Sequence, residues 1–129
     1  MKLEDFFHTI MDTHPEIVFA VCSNNLPTVR RTNFYYCAGE KKIFFVLPVQ
    51  DTAVEILKQN SNIAIMTIHP TETRGIASTG TATKKENDFS KIIGNFVSKF
   101  PEMTLFMDTP ITGLALYQVA LKSITIKMS

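Results

Sequence analysis

Apolar residues near the start of the chain recur at helical spacing: Leu3, Phe6, Phe7, Ile10 and Met11 fall at i, i+3, i+4, i+7 and i+8. This predicts an amphipathic helix over roughly residues 2–13 with one face to bury. His14-Pro15 ends it, because the residue before proline avoids the helical region. Residues 16–22 (EIVFAVC) read as a buried strand, and Ser23-Asn24-Asn25 as a turn. Pro27 opens a second strand, 28–38, at a position where a missing N–H is tolerated. Along it Arg30, Thr32, Phe34 and Tyr36 share one face, and Val29, Arg31, Asn33, Tyr35 and Cys37 share the other. The two adjacent arginines therefore point to opposite sides of the sheet.

Ala38 to Lys41 reads as a hairpin turn with Gly39 free to take positive φ. Lys42 to Leu47 (KIFFVL) is the return strand, and Pro48 stops it. A short loop leads to a helix at about 52–60, where Thr52 to Glu55 fits a capping box. Ile63 to Ile68 and residues 74–84 give two more strands, with Gly80 marking a bulge or a close backbone approach. Phe89, Ile92, Ile93, Phe96, Val97 and Phe100 predict a helix over roughly 87–99, and residues 102–112 read as irregular or a short helical turn. From Gly113 a last strand runs to the end of the chain. Its apolar positions change parity between Leu121 and Ile124, which places a bulge near Lys122-Ser123. The order α-β-β-β-α-β-β-α-β with hairpin-length links predicts a mainly β (α+β) fold. The expected form is a six-stranded antiparallel β-barrel with flanking helices.

The chain has 129 residues, which fits a single domain spanning 1–129 with a sizeable core. A net charge of +1 argues against a nucleic-acid footprint, and no apolar run is long enough for a membrane span. The acidic start (Glu4, Asp5, Asp12) does not read as a signal peptide. With only Cys22 and Cys37, neither in a CxxC, two inert thiols in a cytoplasmic protein are expected.

Motif chemistry is sparse. His8, His14 and His69 lack metal-ligand spacing, so no metal site is expected. GxSxG, GxGxxG and GxxxxGK[ST] are all absent, as is a pair of strand-end carboxylates. Any chemistry would then belong to a bound cofactor. What remains is a corner where Arg30 could bind a phosphate through charge-assisted hydrogen bonds while the loop Pro48 to Ala53 and the helix start close over it. The alternative is two surface arginines paired with acids. Tyr35, Tyr36 and Tyr117 read as cross-strand packing and His69 as a loop residue.

PTVRRTNF, KKIFFVL, AVEILKQN, NIAIMTI and RGIASTGTAT resemble, in that order, the pyridoxamine 5′-phosphate oxidase-like FMN-binding split-barrel family, over essentially the whole chain. The resemblance implies a homodimeric split barrel with FMN at the dimer interface. By position Arg30 matches the phosphate arginine; Arg31, Thr32 and Asn33 would run along the flavin. Val46 and Leu47 would lie near the phosphate and ribityl chain, and Gln50, Asp51, Thr52 and Ala53 would form the phosphate loop. Leu47 stands where the family usually has Thr or Ser, and Thr52 or Ala53 where it has Lys or Arg. The arginine and lysine that mark true vitamin B6 oxidases are not recognisable.

The implied activity is an FMN-dependent oxidoreductase, a flavin or small-molecule reductase that transfers hydride or electrons at the flavin. A small molecule would be its substrate or electron donor. The rival, motivated by the missing cation, is a non-catalytic flavin- or haem-binding dimeric barrel.

Overall fold

The computed structural model describes residues 2–85, 89–100 and 113–127. Its elements are α1 (Leu3–Thr13), β1 (Glu16–Ser23), β2 (Leu26–Asn33), β3 (Tyr35–Cys37), β4 (Lys42–Pro48) and α2 (Thr52–Gln59), followed by β5 (Asn62–Ile68), β6 (Gly75–Lys84), α3 (Phe89–Lys99) and β7 (Leu114–Lys127). Residues 102–112, expected to be irregular or a short helical turn, lie outside the described residues.

All strand pairings are antiparallel, in the order β2-β1-β5-β6-β7-β4-β3. The sheet thus has seven strands among the described residues rather than six, because the expected strand 28–38 is divided at Phe34. Its first part pairs with β1 and its second with β4. Since β2 and β3 are the two outer strands, a single residue joins the two edges of the sheet, which curls into a split barrel. Phe34 is fully buried at this joint, and its N–H donates to Pro15 O at 3.4 Å.

Alternation along β4 explains its unbroken apolar run. Ile43, Phe45 and Leu47 face the barrel core, while Phe44 and Val46 belong to a second cluster that α3 covers with Phe96. Inside the barrel Phe19 stacks on Phe45 (ring centroids 4.9 Å apart), and Phe45 on Tyr117 (5.5 Å). Phe7, Ile10 and Met11 of α1 and Ala53, Val54 and Leu57 of α2 complete this core. Burial of a Phe or Leu side chain contributes about 1.5–3 kcal/mol.

The expected irregularity lies between Ser78 and Gly80, with the extra residue on β7: Ser78 pairs with Ile124 and Gly80 with Leu121. This accounts for the change of parity at Lys122-Ser123. A Cβ at Gly80 would lie 2.5 Å from Ala120 O, the close backbone approach that its glycine suggested. Two local expectations are corrected. Lys41 (φ 53°), not Gly39, takes the left-handed conformation in the β3–β4 turn. The cap of α2 is Asp51 rather than a Thr52–Glu55 box: Asp51 Oδ1 accepts from Ala53 N at 2.9 Å, and Glu55 bonds Lys58 instead. No described helix is long and apolar enough to cross a membrane.

Candidate functional site

The strand β2 and the loop before α2 meet at Arg30. Alternation puts Thr28, Arg30 and Thr32 on the same side as buried Phe34 and Tyr36, so Arg30 sits at the rim of the barrel interior. Its guanidinium reaches the first turn of α2. Nε donates to Asp51 Oδ1 and Oδ2 (3.1 and 3.3 Å), Nη2 to the Thr52 hydroxyl (2.8 Å) and Nη1 to Val29 O (3.0 Å). The loop itself is pinned. Asp51 N donates to Pro48 O at 3.0 Å, and Val49 N to Gly113 O at 3.1 Å.

The structure therefore brings Arg30, Asp51, Thr52 and the Ala53 amide together. Each is a group suited to an anion except Asp51, whose carboxylate holds both the guanidinium and the amide. The helix N-terminus favours negative charge there, and Asp51 supplies it from within the chain.

The other expected residues scatter around this corner. Arg31 points to the opposite side, as the alternation requires, and binds Glu16 side-on (2.9 and 2.7 Å). That bond holds the Glu16 carboxyl below the usual range. Thr32 is half-buried opposite Ile17, and the Asn33 side chain donates to Pro15 O at 3.2 Å. Leu47 is buried in the core and Val46 lies under α3, so neither offers a donor at the corner. Gln50 is exposed.

Tyr36 is hydrogen-bonded to His8 Nδ1 at 2.9 Å, Tyr35 lies against Phe96 and Tyr117 stacks on Phe45, which fits their reading as packing residues. Burial pushes all three phenols upward. No group of three metal-ligating side chains occurs among the described residues.

Sequence reasoning missed His14, which is 1% exposed with neither ring nitrogen hydrogen-bonded. The one available signal was its place before Pro15, where the chain turns from α1 straight into the core strand β1.

On the outer face of β2, β1 and β5 the described lining residues all come from strands. Val18, Ala20, Val29, Ala64 and Met66 line a shallow apolar depression of about 190 Å³ there, and Val29 is 58% exposed.

No family model matches the chain, and no curated protein does. Solved structures do. A Listeria innocua protein described as a candidate pyridoxamine 5′-phosphate oxidase is 15% identical, with a TM-score of 0.78 over 97% of this chain and 98% of that one. The haem storage protein HutZ of Vibrio cholerae is 16% identical, with a TM-score of 0.82 over 98% and 96%. An FAD-binding protein of Mesorhizobium loti is 6% identical, with a TM-score of 0.75 over 100% and 96%. The chain therefore has the fold of the pyridoxamine 5′-phosphate oxidase-like split barrels.

Proposed function

We propose that the protein is a homodimeric flavin-binding barrel that takes FMN where two copies meet and acts as a small-molecule or flavin reductase rather than a vitamin B6 oxidase. The observation that carries this reading is the Arg30 guanidinium seated against the first turn of α2, where fixed positive charge and helix N–H groups converge. An FAD-binding protein among the structural neighbours supports a flavin. When bound, the flavin would supply the hydride or electron transfer. The chain's part would be to hold the phosphate with Arg30, the Thr52 hydroxyl and the Ala53 amide.

The exposed apolar face around Val29 supports the dimer. An apolar sheet face beside the candidate site is suited to a second copy of the same face. The half-buried free thiols of Cys22 and Cys37 fit a reducing, cytoplasmic compartment.

The donors fit a phosphate, but Asp51 competes for them. A phosphate bound to Arg30 would place its charge against that carboxylate unless the side chain turns outward or the second copy adds a cation. The same observation favours a second reading, a flavin or haem carrier without catalysis, and HutZ is a haem storage protein with this fold.

The test is the visible spectrum of the purified protein before and after FMN is added. Flavin absorbs and emits in the visible, where the protein's own side chains give no signal. Saturable quenching of FMN fluorescence that disappears in Arg30→Ala, with far-UV circular dichroism unchanged, is the expected result. Equal binding by Arg30→Ala would remove the phosphate role, and no binding at all would leave the fold without the flavin reading.

A further inference from the structure

A second polar cavity, of about 230 Å³, lies beneath α1 and is independent of the Arg30 corner. Its walls include His14, His69, Glu72 and Arg74, with Phe6 and Ile10 forming an apolar end. His14 follows α1 directly, and its backbone N–H caps the helix by donating to Ile10 O at 2.9 Å, which anchors its backbone at the cavity wall. A buried neutral imidazole carries one donor and one acceptor that both need partners, yet neither ring nitrogen of His14 has one among the described residues.

The neighbouring groups define what would satisfy it. The His69 ring lies 5.3 Å from that of His14. Its Nδ1 accepts from the backbone N–H of Thr71 and of Glu72, each at 3.1 Å. The neutral ring must then carry its proton on Nε2, which makes that atom a donor and unsuited to a metal.

Glu72 does not supply the missing acceptor. Both its oxygens take Arg74, from Nε at 2.9 Å and Nη2 at 3.0 Å, and this holds its pKa down to about 2. Arg74 in turn lies over the Phe6 ring at 5.1 Å.

Of the charged and titratable groups facing His14, His69 and Arg74 from the β5–β6 side and Lys99 from α3 oppose its protonation, and only Glu72 favours it. Burial is the largest cause that lowers its pKa. The cavity has imidazole groups at one end, an Arg74–Glu72 pair in its wall and an apolar end.

We propose that this cavity binds a small carboxylate, its oxygens held by N–H groups of His14 and His69 and its hydrocarbon end against Phe6 and Ile10. Binding is coupled to uptake of one solvent proton by His14, which makes both ring nitrogens donors and gives the imidazolium a carboxylate that, unlike Glu72, is not already held by Arg74. No covalent step is involved.

Sodium butyrate is the probe, titrated into the full-length protein with sodium chloride at equal ionic strength as control. The readout is the imidazole nitrogen resonances. With three histidines in the chain, His8 serves as the internal reference. Butyrate is expected to give saturable shifts at His14 and His69 but not His8. The apparent affinity should rise about tenfold per pH unit as pH falls from 8 toward 6.5, as proton-coupled binding requires.

His14→Gln should remove that pH dependence, and His69→Gln should weaken binding at least about tenfold, the effect of losing about 1.4 kcal/mol of hydrogen bonding. Resonances that ignore butyrate, or that respond equally to chloride, would overturn the proposal in the native protein whether or not either variant folds. A pH-independent affinity would overturn the coupling to His14.

Discussion

Asp51 occupies the place where the proposed phosphate would sit, so Asp51→Asn is the most informative substitution. Asparagine caps a helix about as well as aspartate, and the Arg30–Asp51 pair is part-exposed (37% and 18%). Loss of such a pair costs about 0–1 kcal/mol, so the variant should fold with a melting temperature within a few degrees of the parent.

Its effect on a phosphate ligand is larger. A phosphate and the Asp51 carboxylate bonded to one guanidinium would lie about 5 Å apart. Two unit charges at that separation repel by about 3 kcal/mol at an effective dielectric of about 20. Solvent and salt at this rim reduce the net figure to about 1–2 kcal/mol.

Asp51→Asn should therefore bind FMN about ten times more tightly, read from quenching of flavin fluorescence at 0.15 M salt. The advantage should shrink in 1 M salt, since screening removes the repulsion. Equal or weaker binding by the variant would refute the view that Asp51 competes for the site. Inorganic phosphate, tested as a competitor, should show the same preference.

Other outcomes follow from single features. His14 is buried with a pKa lowered from 6.5, so the folded state binds fewer protons than the unfolded chain. Stability should be full above pH 6.5 and fall as pH drops below it; thermal melts should lose this dependence in His14→Gln. Gly80→Ala would drive a Cβ toward Ala120 O and Val119 at a β-bulge. A loss of about 1–3 kcal/mol is expected in urea denaturation, and an unchanged midpoint would show that the strands can separate freely there. Val29→Glu, on the exposed apolar face, should convert a dimer to a monomer in light scattering without lowering helix or strand content; a dimer that persists would move the interface elsewhere.

Much of this architecture is legible in the chain because local patterning and tertiary need agree. Residues 42–47 are apolar at every position after Lys42, and each is used, three inward and two outward. The parity change between Leu121 and Ile124 located the bulge because a strand buried on one face cannot otherwise switch sides.

Other features depend on where the chain goes next. Nothing local divides residues 28–38, since Phe34 continues the alternation; the division exists only because two different strands claim its two halves. At the Arg30 corner the sequence showed the donors, but not that Asp51 would be the acceptor, because both Asp51 and Thr52 are good caps. Only the folded loop shows that Asp51 is the cap, with Thr52 left to accept from Arg30. For His14 the signal was weak for the opposite reason: a polar residue after a helix is ordinarily exposed, and its burial depends on the packing of α1 beside the β5–β6 connection.

The single-residue joint at Phe34 bears on how the molecule assembles. β1 and β2 form a hairpin across a two-residue turn in which Asn24 and Asn25 both have positive φ, a local structure that can form early. β4 instead finds its place against β7, with Lys42 opposite Ala120 across most of the chain. Closing that gap carries the loop entropy of more than half of the chain, and high contact order slows folding. The barrel should therefore close late, and residues 35–47 should remain available to wrong partners until β7 arrives. Refolding yield should fall with protein concentration more steeply than the modest chain length suggests.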